Sequence, residues 1–116
     1  MKIKNKISIF IYLILIVSLT IKNLKAETPL YILNAIKLNY KDNNKIIIAE
    51  GEASAKDKSG KEIYSDFIIY DKVNNLIKTK SNSKYKDTKG NEIDADDFFY
   101  DLNIKKIKAI NNVKYK

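Results

Sequence analysis

The side chains that enzymes use most often for acid–base and nucleophilic chemistry are missing from this sequence. None of the 116 residues is histidine or cysteine, which removes Ser-His and Cys-His pairs and almost every type of zinc site. The densest group of carboxylates could offer oxygen ligands to calcium, and its members are Glu92, Asp94, Asp96 and Asp97. Thirty positions earlier, Tyr64 and Phe67 stand in place of Asp94 and Asp97. The cluster is therefore not part of a repeated motif, and the sequence predicts a non-enzymatic protein with no cofactor and no metal site.

Tyrosines at a spacing of thirty residues indicate an internal repeat. Tyr40, Tyr70 and Tyr100 each close a short apolar run, and residues 46–75 align with 76–105 without a gap. A fixed period of this length is typical of one supersecondary unit stacked on copies of itself. The tyrosines could line a ligand groove with their hydroxyls near its mouth, but packing at strand ends is the favoured interpretation.

Apolar residues alternate with polar ones along each repeat, which predicts β-strands instead of helices. Each copy holds two such runs, and the apolar positions keep the same odd or even parity from copy to copy. The apolar side chains of all copies are therefore expected on the same face of the sheet. Asn- and Asp-rich segments (41–45, 71–75 and 101–105) suit hairpin turns, and segments 56–60 and 86–90 end in glycine. The sequence therefore predicts an all-β meander of about six strands, with residues 29–37 leading extended into the first of them.

The first residues have the layout of a secretory signal peptide. Three lysines lie within Met1–Lys6, an apolar run follows over Ile7–Ile21, and Ala26 offers a small residue at a cleavage position. The run is shorter than the roughly 20 residues of a spanning helix. We expect a signal peptide at 1–26 and a β-repeat domain at 27–116; an uncleaved amino-terminal anchor is the alternative.

Charge and cysteine content limit the partners and the means of stabilisation. All 22 basic residues are lysine, five of them before residue 27, and all 14 acids come after it, so residues 27–116 carry 17 − 14 = +3. Dispersed lysines without arginine make a nucleic-acid partner unlikely. An exported domain without cysteine depends on core burial and sheet pairing for its stability.

The repeats resemble the OstA-like repeat of the LptA family of lipopolysaccharide transport proteins. The resemblance lies in Ile48–Ala55, in Gly60–Asp66 with Tyr70 and Asp71, in Ala95-Asp96 with Tyr100, and in Ala109–Val113, and it spans residues 35–116. That family includes the periplasmic bridge protein LptA and the amino-terminal domain of the outer-membrane translocon LptD. The family glycine is kept at Gly51 but is Ser81 and Asn111 in the later copies.

The resemblance implies a fold, a ligand and partners. The expected fold is a twisted, open β-jelly roll built from hairpin repeats and incomplete in this chain, and the expected location is the periplasm, in association with the inner or outer membrane. The ligand is lipopolysaccharide, bound by its lipid A acyl chains, and the partners are other OstA-like domains or copies of this chain docked head to tail by their edge strands. The expected lipid-binding inner face consists of Ile36, Leu38, Tyr40, Ile47, Ala49, Ala53, Ile68, Tyr70, Phe98 and Tyr100.

Three alternatives stay open at this point. The chain could be a minimal LptA-like protein or the leading part of a longer LptD-like protein. It could keep its amino-terminal helix as an anchor, as LptC-type proteins do. It could also be an exported structural β-repeat that binds no lipid.

Overall fold

Antiparallel β-strands make up the fold. The computed structural model describes residues 30–116, where it contains strands and turns but no helix, and therefore none that could cross a membrane. The predicted signal peptide at 1–26 lies outside the described residues. The eight strands are β1 (Ile32–Asn34), β2 (Lys37–Lys41), β3 (Ile46–Lys56), β4 (Glu62–Asp71), β5 (Leu76–Lys86), β6 (Glu92–Asp101), β7 (Lys106–Ile110) and β8 (Lys114–Tyr115).

The strands form one open sheet in the order β1-β3-β4-β5-β6-β7, with β2 also paired to β3 and β8 also paired to β6. The sheet does not close, so β1 and β2 lie at one edge and β7 and β8 at the other. This confirms the predicted all-β, open fold made of hairpin repeats. The predicted count of about six strands was too low, because the first and last apolar runs each divide into two short strands.

The turns follow the predicted chemistry. Asn75 and Lys105 adopt positive φ angles of 54° in the Asn/Asp-rich hairpins, and Asp71 Oδ1 accepts hydrogen bonds from the backbone N–H groups of Val73 and Asn74, both at 3.0 Å. In the second kind of turn, Gly60 and Gly90 have φ angles of 96° and 88°, which an L-residue with a Cβ rarely adopts.

A bend interrupts the regular backbone in the middle of each long run. Two consecutive residues have left-handed φ angles at each bend: 81° and 45° at Gly51-Glu52, 71° and 51° at Ser81-Asn82, and 63° and 51° at Asn111-Asn112. The pairing register shifts beside the first two bends, between Glu50 and Ala53 and between Lys80 and Ser83. The bends divide the sheet into two parts. The first leaf contains β2, β7 and residues 46–50, 67–71, 76–80 and 97–101; the second leaf contains β1, β8 and residues 53–56, 62–65, 83–86 and 92–95.

The two leaves fold over and face each other. Tyr85 pairs with Ile93 in the second leaf, and Tyr100 lies seven residues further along β6, which would be about 23 Å in a straight strand. The rings of Tyr85 and Tyr100 are nevertheless 6.4 Å apart in an edge-to-face arrangement. The sheet therefore encloses an inner face between its leaves and presents an outer face to solvent.

Alternation is broken once in β4 and once in β6. Ser65 and Ile68 are both buried although they are three residues apart, and the intervening Asp66 and Phe67 are exposed and half-buried. Ala95 and Phe98 repeat the pattern in β6. Across a bend, the bent strand has four residues where the strand beside it has three. The extra residue lets side chains on both sides of the bend point to the same inner face.

Candidate functional site

Apolar side chains cover the inner face in rows that run across all the strands. Residues directly opposite each other in an antiparallel sheet point to the same face, so the register defines each row. In the first leaf one row is Tyr40, Ile47, Tyr70, Ile77, Tyr100 and Ile107, and the next is Leu38, Ala49, Ile68, Thr79, Phe98 and Ala109. In the second leaf the row is Leu33, Ala55, Ile63, Tyr85, Ile93 and Tyr115.

The rows are buried in the middle and, except at Leu33, are less covered at their ends. Ile68 and Ile77 are fully buried. At one edge of the sheet, Tyr40 keeps 56% of its surface exposed, and at the other edge Tyr115 keeps 76%. Mostly apolar residues thus continue along each row from one edge of the sheet to the other, whereas the opposite leaf buries mainly the middle of the row.

Three hydroxyl groups occupy the inner face where the leaves meet. Thr79 Oγ1 and Ser83 Oγ are 2.5 Å apart and Ser65 Oγ lies 3.1 Å from Ser83 Oγ. Ser65 also donates to the carbonyl oxygens of Lys80 and Ser81 at 3.0 and 2.8 Å, and Thr79 Oγ1 accepts from the Phe98 backbone N–H at 2.9 Å. Buried hydroxyls are stable only when they are hydrogen-bonded, and here they bond the backbone that the bend removes from regular pairing.

Aspartates on the neighbouring strand hold the bends. Asp66 Oδ2 accepts hydrogen bonds from Ser81 Oγ and Asn82 Nδ2, both at 2.9 Å, and Asp96 Oδ2 accepts one from Asn112 Nδ2 at 2.9 Å. Ser81 and Asn111 therefore adopt the left-handed geometry of Gly51 without being glycine. This resolves the departure from the family glycine at these two positions.

The acidic cluster of β6 is used for pairing within the protein. Glu92 Oε1 lies 3.2 Å from Lys84 Nζ, and Asp94 Oδ2 lies 3.2 Å from Lys116 Nζ. Asp96 bonds the bend at Asn112 as described above, and Asp97 Oδ1 accepts from the Ser81 backbone N–H at 3.1 Å. Each carboxylate has its own partner, which supports the structural interpretation of this cluster.

Tyr31, just before β1, covers the tyrosine end of the inner face. Its ring makes edge-to-face contacts with Tyr70 and Tyr100, with centroids 6.3 and 6.2 Å apart. Its hydroxyl is buried without a hydrogen bond to the described residues, and burial, followed by the nearby Tyr100, raises the pKa of Tyr31 far above its usual range. Burial also raises the pKa of Tyr85 to about 12. These tyrosines are therefore neutral near pH 7, and their rings pack against Tyr70 and Tyr100.

Comparisons with known proteins give a likeness at the level of fold. No family model matches the sequence, and no curated protein matches it. Among solved structures, the fold is similar to that of LptH. LptH is described as the LptA-homologous periplasmic component of the lipopolysaccharide transport device of Pseudomonas aeruginosa; the match has a TM-score of 0.48 at 12% identity and covers 75% of this chain and 94% of LptH. The likeness is one of fold alone.

Most residues of the expected lipid-binding set do lie on the inner face, and most of them are buried by the protein itself. The buried members are Ile47, Ala49, Ala53, Ile68, Tyr70, Phe98 and Tyr100. Leu38 packs partly against this core. The small side chains at Ala49 and Ala53 are almost fully covered, so they leave no open volume at the inner face.

Two members of the expected set are placed differently. Ile36 lies in the bend between β1 and β2, outside any strand, and is 78% exposed. It lies against the bend at Gly51, whose backbone carbonyl accepts a hydrogen bond from the Ile36 N–H at 2.9 Å. Tyr40 faces inward by register but is exposed, because β2 is an edge strand with no inner-face neighbour beyond it. Ile36 thus leaves the alternation because it lies in a bend, whereas Tyr40 keeps it and is exposed because of its edge position.

Several inner-face residues were not included in the expected set. Tyr31 and Leu33 precede the repeat, so its period gave no signal for them. Ile63 and Ile93 are an identical pair at the repeat spacing, and that identity could have identified them. Leu102, which is fully buried in a hairpin, carries no pattern that marks it.

Proposed function

We propose that this chain is a non-enzymatic periplasmic module that binds lipopolysaccharide through its lipid A acyl chains and passes it towards the outer membrane. The observation that carries the proposal is the inner face, whose apolar rows run through every strand and end in exposed side chains at both edges of the sheet. A surface of this kind offers an acyl chain a continuous track, and the resemblance of the repeats to the OstA-like family supplies the ligand.

Burial of methylene groups supplies the affinity in this proposal. Each methylene that leaves water contributes about 0.8 kcal/mol, so a few carbons of an acyl chain laid across an edge are enough for weak binding. Exposed lysines at the hairpin tips, Lys45, Lys72 and Lys105, lie near the tyrosine end of the rows, where they can meet the phosphates of the lipid.

Lipid entry starts at the edges in this proposal. Ile68 and Ala49 have no exposed surface, so acyl chains reach the centre only when the two leaves separate. Leu38 and Ala109 lie at the two ends of one inner row and are only partly buried. These two positions are accessible in the structure as it stands.

Photo-crosslinking tests this route. We expect a photoreactive residue at Leu38 or Ala109 to capture lipopolysaccharide in cells. The matched controls are Lys58 and Lys89, exposed turn residues of the second leaf, which are expected to capture none. Equal capture from all four positions, or capture from Lys58 and Lys89 alone, would refute an inner-face site.

Edge strands provide the partner contacts. The outer backbone edges of β2 and β7 have no strand beside them within residues 30–116, and unpaired edges readily accept a further strand. We propose that another OstA-like domain, or a second copy of this chain, docks there head to tail so that the apolar rows continue from one protein to the next. Cross-linking between β2 of one copy and β7 of another tests this arrangement.

A structural repeat without a lipid ligand is the second candidate, and the packed centre favours it. Tyr31 and Leu102 fill the space that a ligand would need at the tyrosine end. Mass spectrometry of the purified protein distinguishes the two: co-purified lipid supports transport, whereas concentration-dependent oligomers without lipid support assembly alone. A mature amino terminus at Glu27 would exclude the membrane-anchored alternative.

A further inference from the structure

The outer faces of the two leaves differ in chemistry. The outer face of the second leaf is polar, with rows such as Ser54, Tyr64, Lys84 and Asp94, and it carries the ion pairs of Glu92 and Asp94. The outer face of the first leaf carries large apolar side chains that are at least partly exposed: Ile48, Phe67, Ile69, Phe99 and Ile110. Alternation with one buried face does not require these residues, since solvent-facing positions of a two-layer sheet are normally polar.

A pocket of about 340 Å³ lies within this apolar region. On β5, Lys78 and Lys80 face outward between an apolar wall on β4 and another on β6 and β7. The wall on β4 is Phe67 and Ile69, and the opposite wall is Phe99 and Ile110. The volume is at the low end of the roughly 300–1,000 Å³ range of ligand pockets. It is the size of a pocket for a single small ligand.

The side chains of this pocket carry a net positive charge, from two lysines against one aspartate. Neither Lys78 nor Lys80 has a carboxylate within 4.0 Å in the described part of the chain, where the ion pairs all lie on the second leaf. Lys78 Nζ lies over the Phe99 ring, 5.7 Å from its centroid. Asp97 also lines the pocket, but its Oδ1 accepts the Ser81 backbone N–H. The lysine stems add apolar surface while their ammonium groups stay in solvent.

We propose that this outer pocket is a second lipid site, separate from the inner face, that binds a fatty acid: one acyl chain along β5, with its carboxylate at Lys78 and Lys80. The apolar walls take the chain and the two free ammonium groups take the anion. The site is separate from the inner face, because its apolar walls take the outward register positions of β4, β6 and β7. Of the inner rows, only Thr79 and Phe98 also border the pocket.

Isoleucine methyl groups on opposite faces of one strand provide the test. Dodecanoate, added to the full-length chain below its micelle-forming concentration, is expected to show intermolecular nuclear Overhauser contacts between its methylenes and the Ile69 and Ile110 methyl groups. No such contacts are expected with Ile68 and Ile77, on the inner face. Contacts with Ile68 and Ile77 but not with Ile69 and Ile110 would overturn the outer site and leave the inner-face proposal standing.

Charge reversal tests the anion half of the site. The double variant Lys78→Glu/Lys80→Glu is expected to weaken dodecanoate binding by about tenfold, as the loss of two exposed charge contacts implies. The matched control Lys58→Glu/Lys89→Glu, with the same change of charge in exposed turns of the second leaf, is expected to bind as the unchanged protein does. Equal affinities of the two variants, or equal binding of uncharged dodecanol by the unchanged protein, would overturn the proposal.

Discussion

Tyr70 and Tyr40 occupy the same place in successive copies and in the same cross-strand row, yet only 2% of Tyr70 is exposed against 56% of Tyr40. Tyr70 has a strand on each side and the Tyr31 ring against it, whereas Tyr40 lies on the edge strand β2. A residue's contribution to stability in this repeat therefore depends on its place in the array more than on its type. Apolar side chains at the edges remain exposed, whereas the equivalent side chains at the centre are already buried by the protein itself.

The largest expected difference between centre and edge follows from truncating one buried side chain at the centre. Ile68→Ala is expected to lower the free energy of unfolding by about 2–5 kcal/mol, because the site is fully enclosed and cannot collapse around the cavity. Leu38→Ala, in the same row at the edge, is expected to cost clearly less. Urea unfolding of both variants checks the difference, and equal losses would show that centre and edge are packed alike.

A hydroxyl in the packed centre gives an effect of opposite sign. Tyr31→Phe keeps the ring contacts and removes the buried hydroxyl that has no hydrogen bond to the described residues. We expect the variant to be more stable by about 1 kcal/mol, since an unsatisfied buried polar group costs about 1–3 kcal/mol. A loss of stability in thermal unfolding would mean that this hydroxyl has a partner.

The same tyrosine makes stability depend on alkaline pH. Because burial raises the folded-state pKa of Tyr31 above its unfolded value of about 10, the folded state holds this proton more tightly. Its contribution is fully present below about pH 10 and is lost as the pH rises above that value. Denaturant unfolding between pH 8 and pH 11 is expected to show a steeper loss for the unchanged protein than for Tyr31→Phe; parallel curves would contradict this assignment.

The bends allow the same comparison between centre and edge, with smaller expected changes in the free energy of unfolding. Asp66→Ala removes the acceptor of two hydrogen bonds at the central bend and is expected to cost about 1 kcal/mol. Asp96→Ala removes the acceptor of one side-chain hydrogen bond at the edge bend and is expected to cost about half as much. If Asp96 proved the more costly of the two in chemical unfolding, the edge bend would be under greater constraint than the central one.

The smallest expected effect on stability is at the edge itself. Tyr40→Ala is expected to change the free energy of unfolding by no more than about 0.5 kcal/mol, as for exposed positions in general. We nevertheless expect it to reduce lipopolysaccharide capture from Leu38, its neighbour on the inner face of β2. Full capture in this variant, with unchanged stability, would separate the edge from the proposed lipid track.

Local chemistry explains which features could be predicted from the sequence. The turns at 71–75 and 86–90 depend on Asn, Asp and Gly, whose backbone preferences are local, and the parity of Ile47, Ala49 and Ile68 correctly identified inward positions. The bends were not predicted, because Ser81 is an ordinary strand residue unless Asp66, fifteen positions earlier, lies beside it. The exposure of Ile36 and Tyr40 was not predicted either, since alternation gives direction and says nothing about neighbours.

The prediction of candidate sites from the sequence also depended on whether a site follows from local pattern or from contacts between distant residues. The inner face follows from period and parity, and seven of its ten predicted residues are buried there. The outer pocket between Phe67 and Phe99 was missed, because their interruption of alternation is visible only once the register of β4 and β6 is known. The acidic residues of β6 drew attention in the sequence by their density, and their partners Lys84, Lys116 and Asn112 became evident only from the sheet.

The aspartate-held bends also bear on how such a protein can change in length. Each of these bends is fixed by a residue of an adjacent strand. The position of the fold line, or crease, between the two leaves is therefore set by pairs of neighbouring strands and not by any single strand. Adding or deleting one residue within a strand would displace that crease and turn inward side chains outward. Growth by duplication in whole units of thirty residues would leave it in line, and smaller insertions would be accommodated only in the turns.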